Sequence, residues 1–145
     1  MQEFVLLRLP VPEANPLTGG RFKHRPGQFV FLNIAAVSSI EWHPFSIASC
    51  DEKQLSVYVR CRGDWTSKLH DVAAAAPAAA TLPVRIEGPY GDFGAHVNLQ
   101  GDACRTVVMV GGGVGVTPML GGAVKLLDEW ANGRPLTRYP NDDPM

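Results

Sequence analysis

The sequence predicts a small antiparallel β-barrel followed by the first strand-helix unit of an α/β domain. Two observations lead there. Up to about residue 100, short runs of β-forming residues recur between Gly, Pro and Asn turns, with one helix among them. After that, "RTVVMVGGG" is nearly all apolar, as a strand buried on both faces is, and it runs through glycines into a helical stretch.

Taken in order, "EFVLLRLP" reads as a first strand, closed by prolines and the turn-rich "PEANPLTGGR". "RPGQFVFLNIA" places a Pro-Gly turn before a second strand of strong β-formers. "HPFSIAS" is a short third strand, whose Pro44 suits a strand start or an edge. "QLSVYVRC" alternates, with Leu55, Val57, Val59 and Cys61 on one face and Ser56, Tyr58 and Arg60 on the other. "DWTSKLHDVA" opens a helix with Asp64 or Thr66 as N-cap. Pro77 breaks the alanine-rich "AAAAPAAATL", so a helix end and a surface loop are expected there. "PVRIEGPYG" is a strand running into a type I or II Gly-Pro turn. "VTPMLGGAVKLLDEWANG" is a helix closed by Gly133.

Composition narrows the function classes. The 145 residues are 46% hydrophobic and carry a net charge of −1, which suits a chain that buries a core. No basic run would draw nucleic acid or an anionic membrane. Cys50, Cys61 and Cys104 are an odd set without C-x-x-C spacing, which favours a reducing compartment over a disulfide framework. The four histidines share no ligand spacing, so no metal is assigned. The N-terminus does not read as a signal peptide. Residues 107 to 124 carry no charge, but six glycines, a threonine and a proline suit a strand, turn and helix start better than a span.

Four segments carry candidate chemistry. "GGGVGVTP" joins an apolar strand to a helix, the arrangement that offers backbone N–H groups to a phosphate. It is neither the strict dinucleotide fingerprint, since Val116 stands at the third position, nor a P-loop. A plain tight connection remains the other reading. "HPFSIAS" is either an ordinary strand with Phe45 in the core or the border of a flat ligand, with Phe45 stacking and Ser46 bonding its edge. In "VYVRCRGDWT", Arg60 and the amides opening the helix could hold a diphosphate, or be a surface arginine and an ordinary helix start. "EGPYG" is weak alone and gains weight from its place before the α/β unit.

Together, Pro-Gly-Gln-Phe (26 to 29), His-Pro-Phe-Ser (43 to 46), Val-Arg (59 to 60), Gly-Asp-Trp-Thr (63 to 66), Gly-Pro-Tyr-Gly (88 to 91) and Gly-Gly-Gly-Val-Gly-Val-Thr-Pro (111 to 118) stand in one line. This resembles the ferredoxin–NADP reductase superfamily, and more narrowly the dehydrogenase region of NADPH oxidases and ferric reductases. The resemblance runs from about residue 3 to about 131 and implies FAD. It places His43, Pro44, Phe45 and Ser46 at the flavin, with Ile47, Ala48 and Ser49 completing that strand. Ser46 would lie near the flavin N5 edge. Val59 and Arg60 would meet the ribityl-diphosphate portion, and Trp65, Thr66 and Ser67 would offer helix-start amides to the diphosphate. Gly88, Pro89, Tyr90 and Gly91 would lie where two domains meet. Gly111, Gly112, Gly113, Val114, Gly115, Val116, Thr117 and Pro118 match the segment under the nicotinamide and diphosphate of NAD(P)H, with NADPH favoured by the resemblance alone. No side chain is implied as acid or base, because the cofactor carries the chemistry.

The implied organisation is a FAD-binding barrel over residues 1–103, the start of an incomplete NAD(P)H-binding α/β domain over 104–133, and an irregular tail over 134–145. Electrons would pass from NAD(P)H through FAD to haem in a membrane domain, of the same polypeptide or a separate chain. The final acceptor would be oxygen, giving superoxide, or ferric iron. Such a segment would work membrane-associated, at the cytosolic face. A soluble flavin reductase and a non-catalytic flavin-binding fragment are the alternatives. An alanine-rich loop replaces the glycine usual before Gly-Pro-Tyr-Gly. "RPLTRYPNDDPM" shows no second strand and no ribose-recognising site, so NADH and NADPH are not distinguished.

Overall fold

The computed structural model describes residues 4–16, 18–51, 53–77, 81–91 and 108–132. Among these, six strands and two helices run in the order β1 (Phe4–Pro10), β2 (Phe29–Ile34), β3 (His43–Ser46), β4 (Ser49–Cys50), β5 (Gln54–Arg60), α1 (Asp64–Ala75), β6 (Val84–Tyr90) and α2 (Thr117–Ala131). All described strand pairs are antiparallel, and they form two sheets, β1-β5-β4 and β3-β2-β6. The β-rich architecture expected from the sequence is therefore present.

The two sheets enclose one core, because the period-2 pattern gives each an apolar face. Val5 and Leu9 of β1, Leu55, Val57 and Val59 of β5, and Val30, Leu32 and Ile34 of β2 are all buried. Trp65 and Leu69, four residues apart on α1, present one helix face to this core. Each aliphatic side chain removed from water contributes about 1.5–3 kcal/mol, so the eight strand residues carry much of the stability.

The segment expected to be one strand, His43 to Ser49, divides between the sheets. His43–Ser46 pairs with β2, and Ser49–Cys50 pairs with β5. Between them, the Ile47 amide donates to the Gln28 carbonyl and the Ala48 amide to that of Ser56. The chain thus crosses from one sheet to the other without losing backbone bonds. Pro44 sits in an edge strand, as expected, where its missing N–H costs no ladder bond.

Other expectations are corrected. The N-cap of α1 is Gly63, not Asp64 or Thr66. Thr66 is the third helical residue, and its hydroxyl accepts from the amides of Arg62 (2.9 Å) and Gly63 (3.0 Å). The Gly-Pro segment is no type I or II turn. Strand β6 continues through it to Tyr90 with a cis Gly88–Pro89 bond, and Gly88 and Gly91 take φ of 128° and 87°. Of the strand expected before the glycines, residues 105–107 lie outside the described residues. Residues 108–112 are not strand, and Val108 and Val110 are exposed. No described strand pairs with them. Gly113–Val116 form a 3-10 turn leading into α2, whose last residue is Ala131. Cys104, Gly133, the boundary near 103 and the tail 134–145 lie outside the described residues.

Helix α2 is laid on the sheets through residues without side chains. A β-carbon built on Gly121 would stand 3.7 Å from the Ala48 carbonyl and from Pro26, and one on Gly122 would stand 3.9 Å from Pro26. Small residues here let the helix backbone approach closely. Among the described residues, no helix is long and apolar enough to cross a membrane.

Candidate flavin site

The first part of the site lies where β3 meets α1. Register pairs His43 with Leu32 and Phe45 with Val30, so both rings point to the inner side of their sheet. There they meet Trp65. The His43 and Trp65 ring centroids are 4.4 Å apart and tilted by 34°, and the Phe45 ring stacks on Trp65 at 5.9 Å and 30°. Trp65 is 7% exposed, yet among the described residues its Nε1 has no hydrogen-bond partner, and neither has the buried Nε2 of His43. A Glu41 carboxylate oxygen lies 4.0 Å from His43 Nε2, beyond a hydrogen bond. Two buried polar ring atoms thus stand unspent beside the start of a helix, where unpaired backbone donors also gather.

Two features hold this corner. The Asn33 side-chain amide donates to the carbonyls of Ser38 (3.1 Å) and Glu41 (2.8 Å), fixing the loop that delivers His43. The Lys68 ammonium donates to the Val37 carbonyl at 2.6 Å, tying α1 to the same loop.

The second part is on the outer side of the β3-β2-β6 sheet. Phe29 is paired with Ser46 on one side and Tyr90 on the other. Its ring is 5.8 Å from Tyr90 and 5.7 Å from Phe31. The Tyr90 phenol donates to Glu87, and that bond, with partial burial and the adjacent charge, raises its pKa. The Gln28 side chain donates to the Gly91 carbonyl (2.7 Å) and accepts from the Arg25 amide (2.7 Å). Tyr90 and Gly91 are in this way locked to β2. A β-carbon at Gly88 would crowd the Tyr90 ring at 3.2 Å and the Phe29 carbonyl at 3.3 Å, in a backbone conformation that only glycine adopts freely.

The third part joins β5 to the glycine turn. A β-carbon built on Gly113 would be 3.9 Å from Arg60 Nη1, so the guanidinium lies against the start of the 3-10 turn. Gly111 closes against Val116, where a β-carbon would meet the Val116 Cα at 3.0 Å. The Gly115 amide donates to Gly112 and the Thr117 hydroxyl to Val114, which commits both groups to the turn itself.

The sequence-derived residues therefore sort by what they can offer. His43, Phe45 and Trp65 converge, Ser46 shares a row with Phe29 and Tyr90, and Arg60 meets Gly113. Ile47, Ala48 and Val59 are buried in the fold, and the Ile47 and Ala48 amides are already bonded to Gln28 and Ser56. The Ser67 amide, expected to be open, donates to the Gly63 carbonyl (2.9 Å). Pro44 is exposed. Sequence reasoning missed Gln28 and Phe29 as site formers, although both stand in the Pro-Gly-Gln-Phe segment. It also missed the Asn33 clamp, whose only signal was a polar residue inside "FLNIA".

A flavin dinucleotide fits what this set provides. The rings can border a planar group, and among the described residues the two buried nitrogens are unpaired and Arg60 has no anionic partner.

Comparison with known proteins agrees with this geometry. Residues 3–93 match the family of the FAD-binding domain. The chain is 40% identical over 108 residues to ferric reduction oxidase 8, mitochondrial, of Arabidopsis thaliana, covering 67% of this chain and 14% of the relative. It is 34% identical over 140 residues to respiratory burst oxidase homolog protein D of Solanum tuberosum, covering 83% and 15%. A third relative is a superoxide-generating NADPH oxidase heavy chain of Dictyostelium discoideum, 34% identical over 112 residues, covering 68% and 21%. The chain thus spans no more than about a fifth of the length of these relatives. It belongs to the FAD-binding domain family, in the branch of the ferric reductases and NADPH oxidases.

Proposed function

We propose that this chain is the flavin-binding electron-transfer portion of an NAD(P)H-dependent oxidoreductase, passing electrons from NAD(P)H through FAD to haem and then to oxygen or ferric iron. One observation carries the reading: His43, Phe45 and Trp65 converge at the start of α1 with two buried ring nitrogens unpaired among the described residues. Bound FAD would supply the chemistry, taking two electrons with a hydride and passing them on singly. The chain's own residues bind and orient. His43, Phe45 and Trp65 would border the ring system and keep water from it. Ser46, beside Phe29, would meet the ring edge. Arg60, with the first amides of α1, would hold the diphosphate.

In this reading the two sheets are the FAD-binding barrel, and the glycine turn with α2 begins the part that receives NAD(P)H. Gly88–Gly91, pinned to β2 by Gln28, would stand at the junction. The electron acceptor would be a haem domain in a membrane, with this segment at its cytosolic face. The relatives' names support an oxidoreductase role.

Saturating the purified chain with FAD, removing free flavin and recording its absorption and fluorescence tests the reading. Retained flavin with a shifted spectrum is the expected result. Folded protein that retains none would overturn it.

A further inference from the structure

The turn "RPGQ", residues 25 to 28, closes as its sequence directs. Proline in its second position and glycine in its third suit a type II turn, and Gly27 takes the positive φ of 85° that such a turn requires. The Gln28 amide donates to the Arg25 carbonyl (3.2 Å), and the Arg25 amide donates back to Gln28 Oε1 (2.7 Å). The second bond fixes which end of the Gln28 side chain is oxygen, because an amide N–H needs an acceptor. Nε2 is then free to donate to the Gly91 carbonyl at 2.7 Å, 63 positions along the chain.

That places Gln28 at two strand exits at once. The next residue, Phe29, pairs with Ser46, the last residue of β3, and with Tyr90, the last of β6. One step beyond this row, the Gln28 carbonyl accepts from the Ile47 amide (3.0 Å), while its side chain holds Gly91. The same turn supports α2, since a β-carbon on Gly121 would rest 3.7 Å from Pro26.

We propose that Gln28 is a positioning residue for electron entry to the flavin. It fixes the chain leaving Ser46 against the chain that leaves Tyr90 in the direction of the glycine turn. The proposal rests on the flavin reading, which puts Ser46 at the ring edge, and it gives Gln28 a role without ligand contact. Closing the turn needs only an acceptor of this length, which glutamate would also supply. The bond to Gly91 needs a donor at the same side-chain end, and only the amide offers both. A residue serving the turn alone has no use for that donor.

Two variants separate the bonds. Gln28→Glu keeps an acceptor for the Arg25 amide and, at neutral pH, replaces the donor to Gly91 by a carboxylate oxygen. Gln28→Leu removes both. The 145-residue chain and each variant are titrated with FAD by calorimetry, the bound flavin is followed by visible circular dichroism, and the flavin-free proteins are unfolded in urea. Both variants should bind FAD about tenfold more weakly and show the same altered flavin dichroism, whereas Gln28→Leu, which also opens the turn, should be the less stable in urea. Parent-like affinity and dichroism in Gln28→Glu would reduce Gln28 to a turn residue and overturn the proposal. A change in Gln28→Glu alone would assign the effect to the new charge and overturn it equally. A parent chain that retains no FAD overturns the flavin reading and this proposal with it; with flavin retained by the parent, the variants alone decide.

Discussion

The imidazole of His43 lies 4.4 Å from the indole of Trp65, centroid to centroid, although 22 positions separate them in the chain. One ring comes from the edge strand of one sheet and the other from the first turn of the helix that covers the core. Phe45 packs on the same indole and also touches the core. Of the two readings open for "HPFSIAS", the core contact of Phe45 is seen here, while its place at the flavin belongs to the proposal.

Trp65 should report flavin. Adding FAD should quench tryptophan emission, and Trp65→Phe should remove most of that response while Trp42 and Trp130 remain as internal references. A quench of unchanged size in Trp65→Phe would place the flavin elsewhere.

Arg60→Ala should weaken FAD by about 1.5–3 kcal/mol and riboflavin far less, since the lost bond is to a diphosphate. Parallel calorimetric titrations check this. Equal losses for the two ligands would take Arg60 out of the site.

Asn33 is 1% exposed and bonds two carbonyls of the loop before β3. Asn33→Ala should lower unfolding free energy in urea by about 1–3 kcal/mol, because two partly buried loop carbonyls lose their donor and a cavity replaces the side chain. Asn33→Asp, which turns a carboxylate toward the same carbonyls at neutral pH, should lose at least as much. Wild-type stability in both variants would show that the clamp is dispensable.

Cys50 should be slow to alkylate. Burial first, and the neighbouring Asp51 charge second, push its thiol from the ordinary 9.0 up to about 11. Two pH units correspond to about a hundredfold less thiolate at pH 8, so its rate with iodoacetamide should fall by about that factor against a free thiol. Peptide mapping by mass spectrometry isolates Cys50 from the other cysteines. The sign for stability follows: folding favours the protonated thiol, so its contribution is complete below pH 9 and is lost between about 9 and 11. Cys50→Ala should remove that part of the alkaline loss, and an unchanged slope would discount it.

The sequence by itself determined the strand faces, both helices, the edge position of Pro44 and the flavin-binding family. Those are local properties: residue period sets which side of a strand is buried, and proline and glycine set where regular structure stops. Only the tertiary structure decided how "HPFSIAS" divides between two sheets, because that depends on which neighbours supply backbone bonds to Ile47 and Ala48. It decided that Thr66 caps from inside the helix rather than ahead of it, since its hydroxyl finds the Arg62 and Gly63 amides. It also decided which candidate groups are already committed. The Ser67 amide, the Gly115 amide and the Thr117 hydroxyl all bond within their own turns. A motif names residue types, whereas availability for a ligand is set by hydrogen bonds that only the folded chain reveals.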